Sequence, residues 1–307
     1  MNYPYVFEFF TAAVFHDALS YVKKHEYRCV NLAEQLQNCI QNTDNSSYKQ
    51  AAILYKQCDK GRTLKECKAV VFLTHHAILL HCIDEDLPQD VVHEVARLFL
   101  QEALTHSHIH AIIGLRVHTL CLETVIAGFF NMPLAFSQDY YLMQCSNIPP
   151  PFLETRLVTV PFDCITVEKA AIDDIDLLLP LQAAYERDEV AYNGIAVDRR
   201  VCKLALYAQI RKNAVYKVSV DSQLVAKAGI NAFGINCFQI GGVYTLPEWR
   251  NHGLASFLVA HIVHAQLQVK AQAVIFVKTA NQAAIRVYTK IGFKPCGLFR
   301  LTYVETA

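Results

Sequence analysis

Gly242-Val243-Tyr244-Thr245-Leu246-Pro247-Glu248-Trp249-Arg250-Asn251-His252-Gly253-Leu254-Ala255 is the stretch on which the fold of this chain turns. Its apolar lead-in, Phe238 to Thr245, predicts a strand. Pro247 ends that strand. Leu254 then opens a long apolar segment that reads as a helix to about Val269. The first turn of a helix has unpaired N–H groups, and its dipole favours negative charge. Gly253 removes a side chain there, so backbone donors can approach an anion closely. Ala255 keeps the helix start narrow, and Arg250 adds positive charge.

The elements downstream restrict the reading. Ala273 to Lys278 predicts a strand. Asn281 is placed as an N-cap for a helix to Lys290. Tyr288 lies about two helical turns later, on the same face. Gly292 supplies a stop, and Phe293 begins a further strand. Lys294 to Leu298 and Arg300 to Val304 read as closing strands. Upstream, Cys164 to Val167 reads as a strand, and Asp173 to Glu186 and Cys202 to Arg211 as helices. Ala214 to Val220 and Leu224 to Ile230 read as strands about the turn Asp221-Ser222. This order predicts an α/β fold with a mixed sheet layered by helices.

Arg250…Gly253-Leu254-Ala255 followed by Asn281…Tyr288-Thr289-Lys290-Ile291-Gly292-Phe293 resembles the GNAT superfamily of N-acetyltransferases. The likeness covers the chain from about Cys164 to its end. It implies a GNAT-type mixed twisted sheet flanked by helices, with acetyl-CoA as cosubstrate. It further implies that Val243, Tyr244 and Thr245 pair with the pantetheine arm. Arg250, Asn251, His252, Gly253, Leu254 and Ala255 would hold the pyrophosphate, and Asn281 would touch the cofactor. Tyr288 would be the general acid that protonates the leaving thiolate. A general base is not legible. Gln239 on the strand cannot serve; the charged cluster after the first helix offers Glu186 or Glu189 as base or acceptor contact, and reads equally well as a solvated helix end. Arg187 between them is expected to lower carboxylate pKa values. The expected function is acetyl transfer to a primary amine, on a small molecule or a protein, by direct attack in a ternary complex. The alternative is an acyl-CoA sensor of the same fold.

Ser146-Asn147-Ile148-Pro149-Pro150-Pro151 divides the 307-residue chain. Three prolines remove three donors and suit a linker. We expect domains at 1–152 and 153–307. In the first, Phe7 to Lys24, Val30 to Cys39, Pro88 to Leu104 and Leu120 to Phe130 read as helices. Ala69 to Phe72, Ala77 to His81, His110 to Ile113 and Tyr140 to Gln144 read as strands. That order resembles a second, degenerate GNAT unit, so tandem domains are expected. Leu87-Pro88-Gln89-Asp90 has no glycine, so this copy is expected to bind no cofactor.

Hydrophobic residues make up 53% of the chain, enough for large cores, and the formal net charge is +0. No basic run supports a nucleic-acid partner. Eleven cysteines without close pairs suit reduced thiols in a cytoplasmic protein. The start carries no signal-like basic run, and Ala69 to Ile83 is shorter than the roughly 18 apolar residues of a membrane span, so no membrane association is expected. His106, His108 and His110 alternate as on a strand face, but nothing converges on a metal, and none is expected.

Overall fold

The computed structural model describes residues 5–41, 51–57, 65–105, 107–147, 158–161, 164–191 and 196–305. The chain forms two compact units, one of Met1–Leu142 with Gly297–Ala307, the other of Met143–Cys296. Pro149 to Pro151 of the expected linker lie outside the described residues. The sequence assigned everything after 152 to the second domain. The last strand instead joins the first unit, because its backbone completes that unit's sheet.

The first unit runs β1 (Tyr5–Phe9), α1 (Ala12–Lys24), α2 (Val30–Gln41), β2 (Ala51–Gln57), β3 (Lys65–Leu73), β4 (Ile78–Ile83), α3 (Gln89–Ala103), β5 (Ala111–Leu115), α4 (Arg116–Gly128) and β6 (Leu134–Cys145). Its strands lie in the order β1-β2-β3-β4-β5, followed by β12 (Lys294–Val304). β12 pairs antiparallel with β5, from Phe299 opposite Leu115 to Tyr303 opposite Ala111. Arg300 anchors it, donating to Glu123 at 2.7 Å and Asp139 at 2.6 Å.

Four readings change here. Phe7 to Lys24 is a strand and then a helix, since the Phe7–Phe9 segment finds a partner in β2. β2 itself was missed. His108 and His110 lie on no strand, β5 beginning only at Ala111, and His106 is outside the described residues. Lys294 to Val304 is one strand rather than two.

The second unit repeats the same order of elements: β7 (Ile165–Lys169), α5 (Ile175–Tyr185), α6 (Arg199–Arg211), β8 (Val215–Val220), β9 (Gln223–Phe233), β10 (Cys237–Thr245), α7 (Leu254–Gln266), β11 (Gln272–Lys278) and α8 (Gln282–Ile291). Its sheet order is β11-β10-β9-β8-β7. Only β10–β11 is parallel; β9–β10, β8–β9 and β7–β8 are antiparallel. On one side Leu178, Leu179, Leu206 and Ile210 of α5 and α6 pack with Val215. Burying each such side chain contributes roughly 1.5–3 kcal/mol. α7 is apolar on most of its circumference, with Leu254, Leu258, Val259, Ile262 and Val263 buried. This is the mixed, helix-flanked sheet that the sequence predicts.

Candidate active site

The site begins where the sheet of the second unit stops being continuous. β10 and β11 are in register from Cys237 opposite Gln272 to Ile240 opposite Ile275, and no further, although both strands continue. On its other edge β10 carries a bulge: Gly241 faces Gly229 and Tyr244 faces Lys227, so two residues oppose one. Gly242 sits at φ +60, a conformation that favours glycine. A Cβ at Gly241 would come within 2.0 Å of Asn231 Nδ2. Gly242 and Val243 therefore have no register partner on either side. Their backbone groups are the ones an extended ligand could use.

Beyond Thr245 a short 3₁₀ turn, Pro247–Trp249, leads into the loop. Asn251 adopts φ +67 and Gly253 φ +80. Asparagine tolerates this region, and glycine enters it without penalty. Gly253 is the N-cap of α7 and no side chain caps that helix, so the first-turn N–H groups have no side-chain acceptor. Arg250 stays half exposed. Its Nε donates to Thr245 O at 3.2 Å, and Nη2 lies 3.8 Å from Asp188 Oδ2. His252 Nδ1 is 3.0 Å from Arg250 O. Leu254 is buried in the core, so it and Ala255 bring backbone rather than side chain to this place. Thr245 Oγ1 is buried without a partner.

α8 supplies the opposite side. Asn281 Oδ1 accepts from Ala284 N at 3.0 Å, the N-cap expected from the sequence. Gly292, at φ +112, ends the helix. Tyr288 is 7% exposed, with its ring 6.1 Å from that of Phe293. Burial, and then the charge of Glu189, push its pKa well above the usual tyrosine value. The phenol is thus fully protonated at neutral pH.

The acidic cluster lies on a π-helical turn, Glu186–Val190, that continues α5. Such turns mark positions where helix regularity is given up to aim side chains. The three carboxylates differ. Asp188 accepts from Tyr244 Oη at 2.8 Å, and that bond, aided by Arg187 and Arg250, holds its pKa below the ordinary value. Glu189 pairs with Lys278 at 3.3 Å. Glu186 accepts from Gln182 Nε2 at 2.7 Å, and burial raises its pKa. The expected lowering by Arg187 holds for Asp188 and fails for Glu186, because Arg187 turns to Asp188 at 3.0 Å.

One residue escaped the sequence reading. Lys227 on β9 is 3% exposed, donates to Gly242 O at 2.9 Å, and lies 4.8 Å over the Tyr185 ring. Desolvation pushes its pKa down to about 8, while Glu186 and Cys202 oppose the shift. The signal was present: a lone lysine inside Leu224-Val225-Ala226-Lys227-Ala228-Gly229-Ile230, an otherwise apolar run.

The equivalent place in the first unit is built differently. β4 and β5 are also parallel only over three pairs, Ile78–Ala111 to Leu80–Ile113. The next residue, His81, is buried, and a Cβ at Gly114 would meet its ring at 2.1 Å. His81 Nε2 is 2.9 Å from Thr119 Oγ1. The opening is filled by an imidazole. α3 starts after Pro88, whose φ of −58 gives no left-handed turn. No group of three or more potential metal ligands exists among the described residues.

Comparison with known proteins bears on the fold that carries these residues. A family model described as FR47-like protein matches residues 231–299. No curated protein matches the chain. Among solved structures, a Drosophila protein superposes with a TM-score of 0.63 at 12% identity, covering 98% of each chain. A GCN5-related N-acetyltransferase from Sphaerobacter thermophilus gives 0.58 at 11% identity, over 97% of this chain and 95% of that one. Another, from Kribbella flavida, gives 0.51 at 14%, over 91% and 96%. At these identities the likeness establishes the fold.

Proposed function

We propose that this chain, whose fold is that of the GNAT acetyltransferases, transfers an acetyl group from acetyl-CoA to a primary amine in its second unit. The observation that carries the reading is the opening between β10 and β11, taken together with the uncapped start of α7 and the buried, protonated phenol of Tyr288 on α8.

The residues fit the cosubstrate. Gly242, Val243, Tyr244 and Thr245 offer backbone groups to its amide arm. The α7 N-terminus with Gly253 and Arg250 suits its pyrophosphate. Asn281 keeps its amide NH₂ for the arm while its oxygen caps α8. A neutral amine attacks the thioester carbonyl directly. A backbone N–H of the bulge stabilises the developing oxyanion. Tyr288 gives its proton to the leaving thiolate, a role worth roughly 10²–10⁴-fold. Of the two candidate bases, Glu186 is favoured: its pKa is raised toward neutrality, while Glu189 is engaged by Lys278.

The first unit serves as a degenerate copy without cofactor, its opening occupied by His81. No disulfide joins the described cysteines, which suits the reduced thiols of a cytoplasmic protein. No helix among the described residues is long and apolar enough to cross a membrane. A sensor reading would use the same cofactor residues and leave Tyr288 idle. A coenzyme A-release screen over small amines and peptide N-termini tests the enzyme reading. Acetyl-CoA binding without release for any amine would favour the sensor.

A further inference from the structure

Lys227 breaks a rule that the rest of β9 obeys. A charged amine inside an apolar strand is costly, and its energetic penalty is visible in the lowered pKa. Among the described residues it forms no ion pair within 4 Å, so charge neutralisation does not explain its burial. What it does have is a geometry. Its backbone is the register partner of Tyr244, and its side chain folds back to donate to Gly242 O at 2.9 Å. One residue thus grips the bulge on both sides of Val243. Gly242 is a glycine for two reasons at this place. Its φ is +60, and a Cβ there would lie 3.2 Å from Lys227 Nζ.

The groups around the ammonium complete the arrangement. From α5 the Tyr185 ring covers it, and from the π-turn Glu186 acts on it through space. Both hold the cation under the strand without taking its hydrogen bond.

We infer that Lys227 is a positioning residue of the acyl site, locking the Gly242–Val243 bulge so that its backbone N–H groups meet the thioester oxygen. This rests on the proposed acetyl-CoA site, and it goes beyond that site's expected residues. A bulge without its clamp can relax by a fraction of an ångström, and misplacement by about 1 Å can cost as much as 10²-fold in rate. Lys227 acts through Gly242 and touches no reacting atom.

The test needs no knowledge of the acceptor. Acetyl-CoA labelled with ¹³C at the thioester carbonyl is bound to the full chain, and its carbonyl stretch is read by difference infrared spectroscopy. Calorimetry gives the affinity in parallel. Wild type is expected to bind and to lower the stretching frequency, as donors aimed at the oxygen would. Lys227→Met should bind within about threefold of wild type yet lose most of that lowering. Lys227→Arg, which can still donate to Gly242 O, should recover part of it. Should Lys227→Met fail to fold, Lys227→Gln takes its place, because its shorter amide cannot span to Gly242 O, and the same loss is expected. A full frequency shift in Lys227→Met or its substitute overturns the inference and leaves the acetyl-CoA site standing. A loss of affinity equal to the loss of shift also overturns it, by making Lys227 a binding residue. Absence of binding to wild type removes the acetyl-CoA site itself.

Discussion

The Tyr244 hydroxyl donates to Asp188 Oδ2 at 2.8 Å and so ties the free end of β10 to the π-turn after α5. The tie joins the strand that we propose meets the cofactor to the segment that we propose meets the acceptor. Arg250, 5.5 Å from the Tyr244 ring and 3.8 Å from Asp188, leans on the same pair. Asp188→Ala should therefore weaken acetyl-CoA binding about threefold, and lower stability by roughly 1 kcal/mol through the orphaned phenol. Because the pKa of Asp188 is depressed, the tie persists above pH 4 and is lost only as pH falls through the folded value. Calorimetric affinities of wild type should then be flat from pH 5 to 7. A tie that fails near pH 6 would contradict this.

Tyr288→Phe should reduce kcat by about 10²-fold with little change in acetyl-CoA affinity. The phenol is protonated throughout the neutral range, so the wild-type rate should show no descending limb from Tyr288 below pH 9. A parallel loss of binding and rate would assign Tyr288 to packing against Phe293 instead.

Gly253→Val should abolish measurable acetyl-CoA binding while the protein stays folded. A side chain at φ +80 costs about 1–2 kcal/mol, and it also fills the space before the α7 N–H groups. Unchanged affinity, read by titration, would remove the loop from the cofactor site.

Lys227 gives a stability prediction with a definite sign. Its folded pKa, about 8, lies below the ordinary 10.5. Between these values the unfolded chain holds a proton that the folded chain has released, so folding gains stability as pH rises through this window. Below pH 8 both states are protonated and the full burial penalty applies, about 3 kcal/mol. The stability of wild type relative to Lys227→Met should increase from pH 7 to pH 10, as followed by urea denaturation. A constant difference would mean that Lys227 titrates normally.

What the sequence made legible follows from how local each signal is. Asn281 as N-cap, Gly292 as stop and Gly253 before α7 are decided within one or two turns, and all three stand where the pattern puts them. The end of β1, Phe7 to Phe9, was read as the start of a helix because its three- and four-residue apolar spacing is real. Only its pairing with β2, more than forty residues away, makes it a strand. The return of β12 to the first unit is likewise a long-range pairing, with β5. Lys227 was hidden for a related reason. Its meaning lies in the carbonyl of Gly242 across a strand pair, and composition shows only a charge in an apolar run. Glu186 and Glu189 could be named together but not told apart, since Gln182 and Lys278 decide between them in space.

The most direct test of the account is a calorimetric titration of the full chain with acetyl-CoA. The account predicts saturable binding of one acetyl-CoA per chain, abolished by Gly253→Val and retained by Tyr288→Phe. No heat of binding at millimolar acetyl-CoA would contradict the proposed function, and two sites per chain would contradict the closed cleft behind His81.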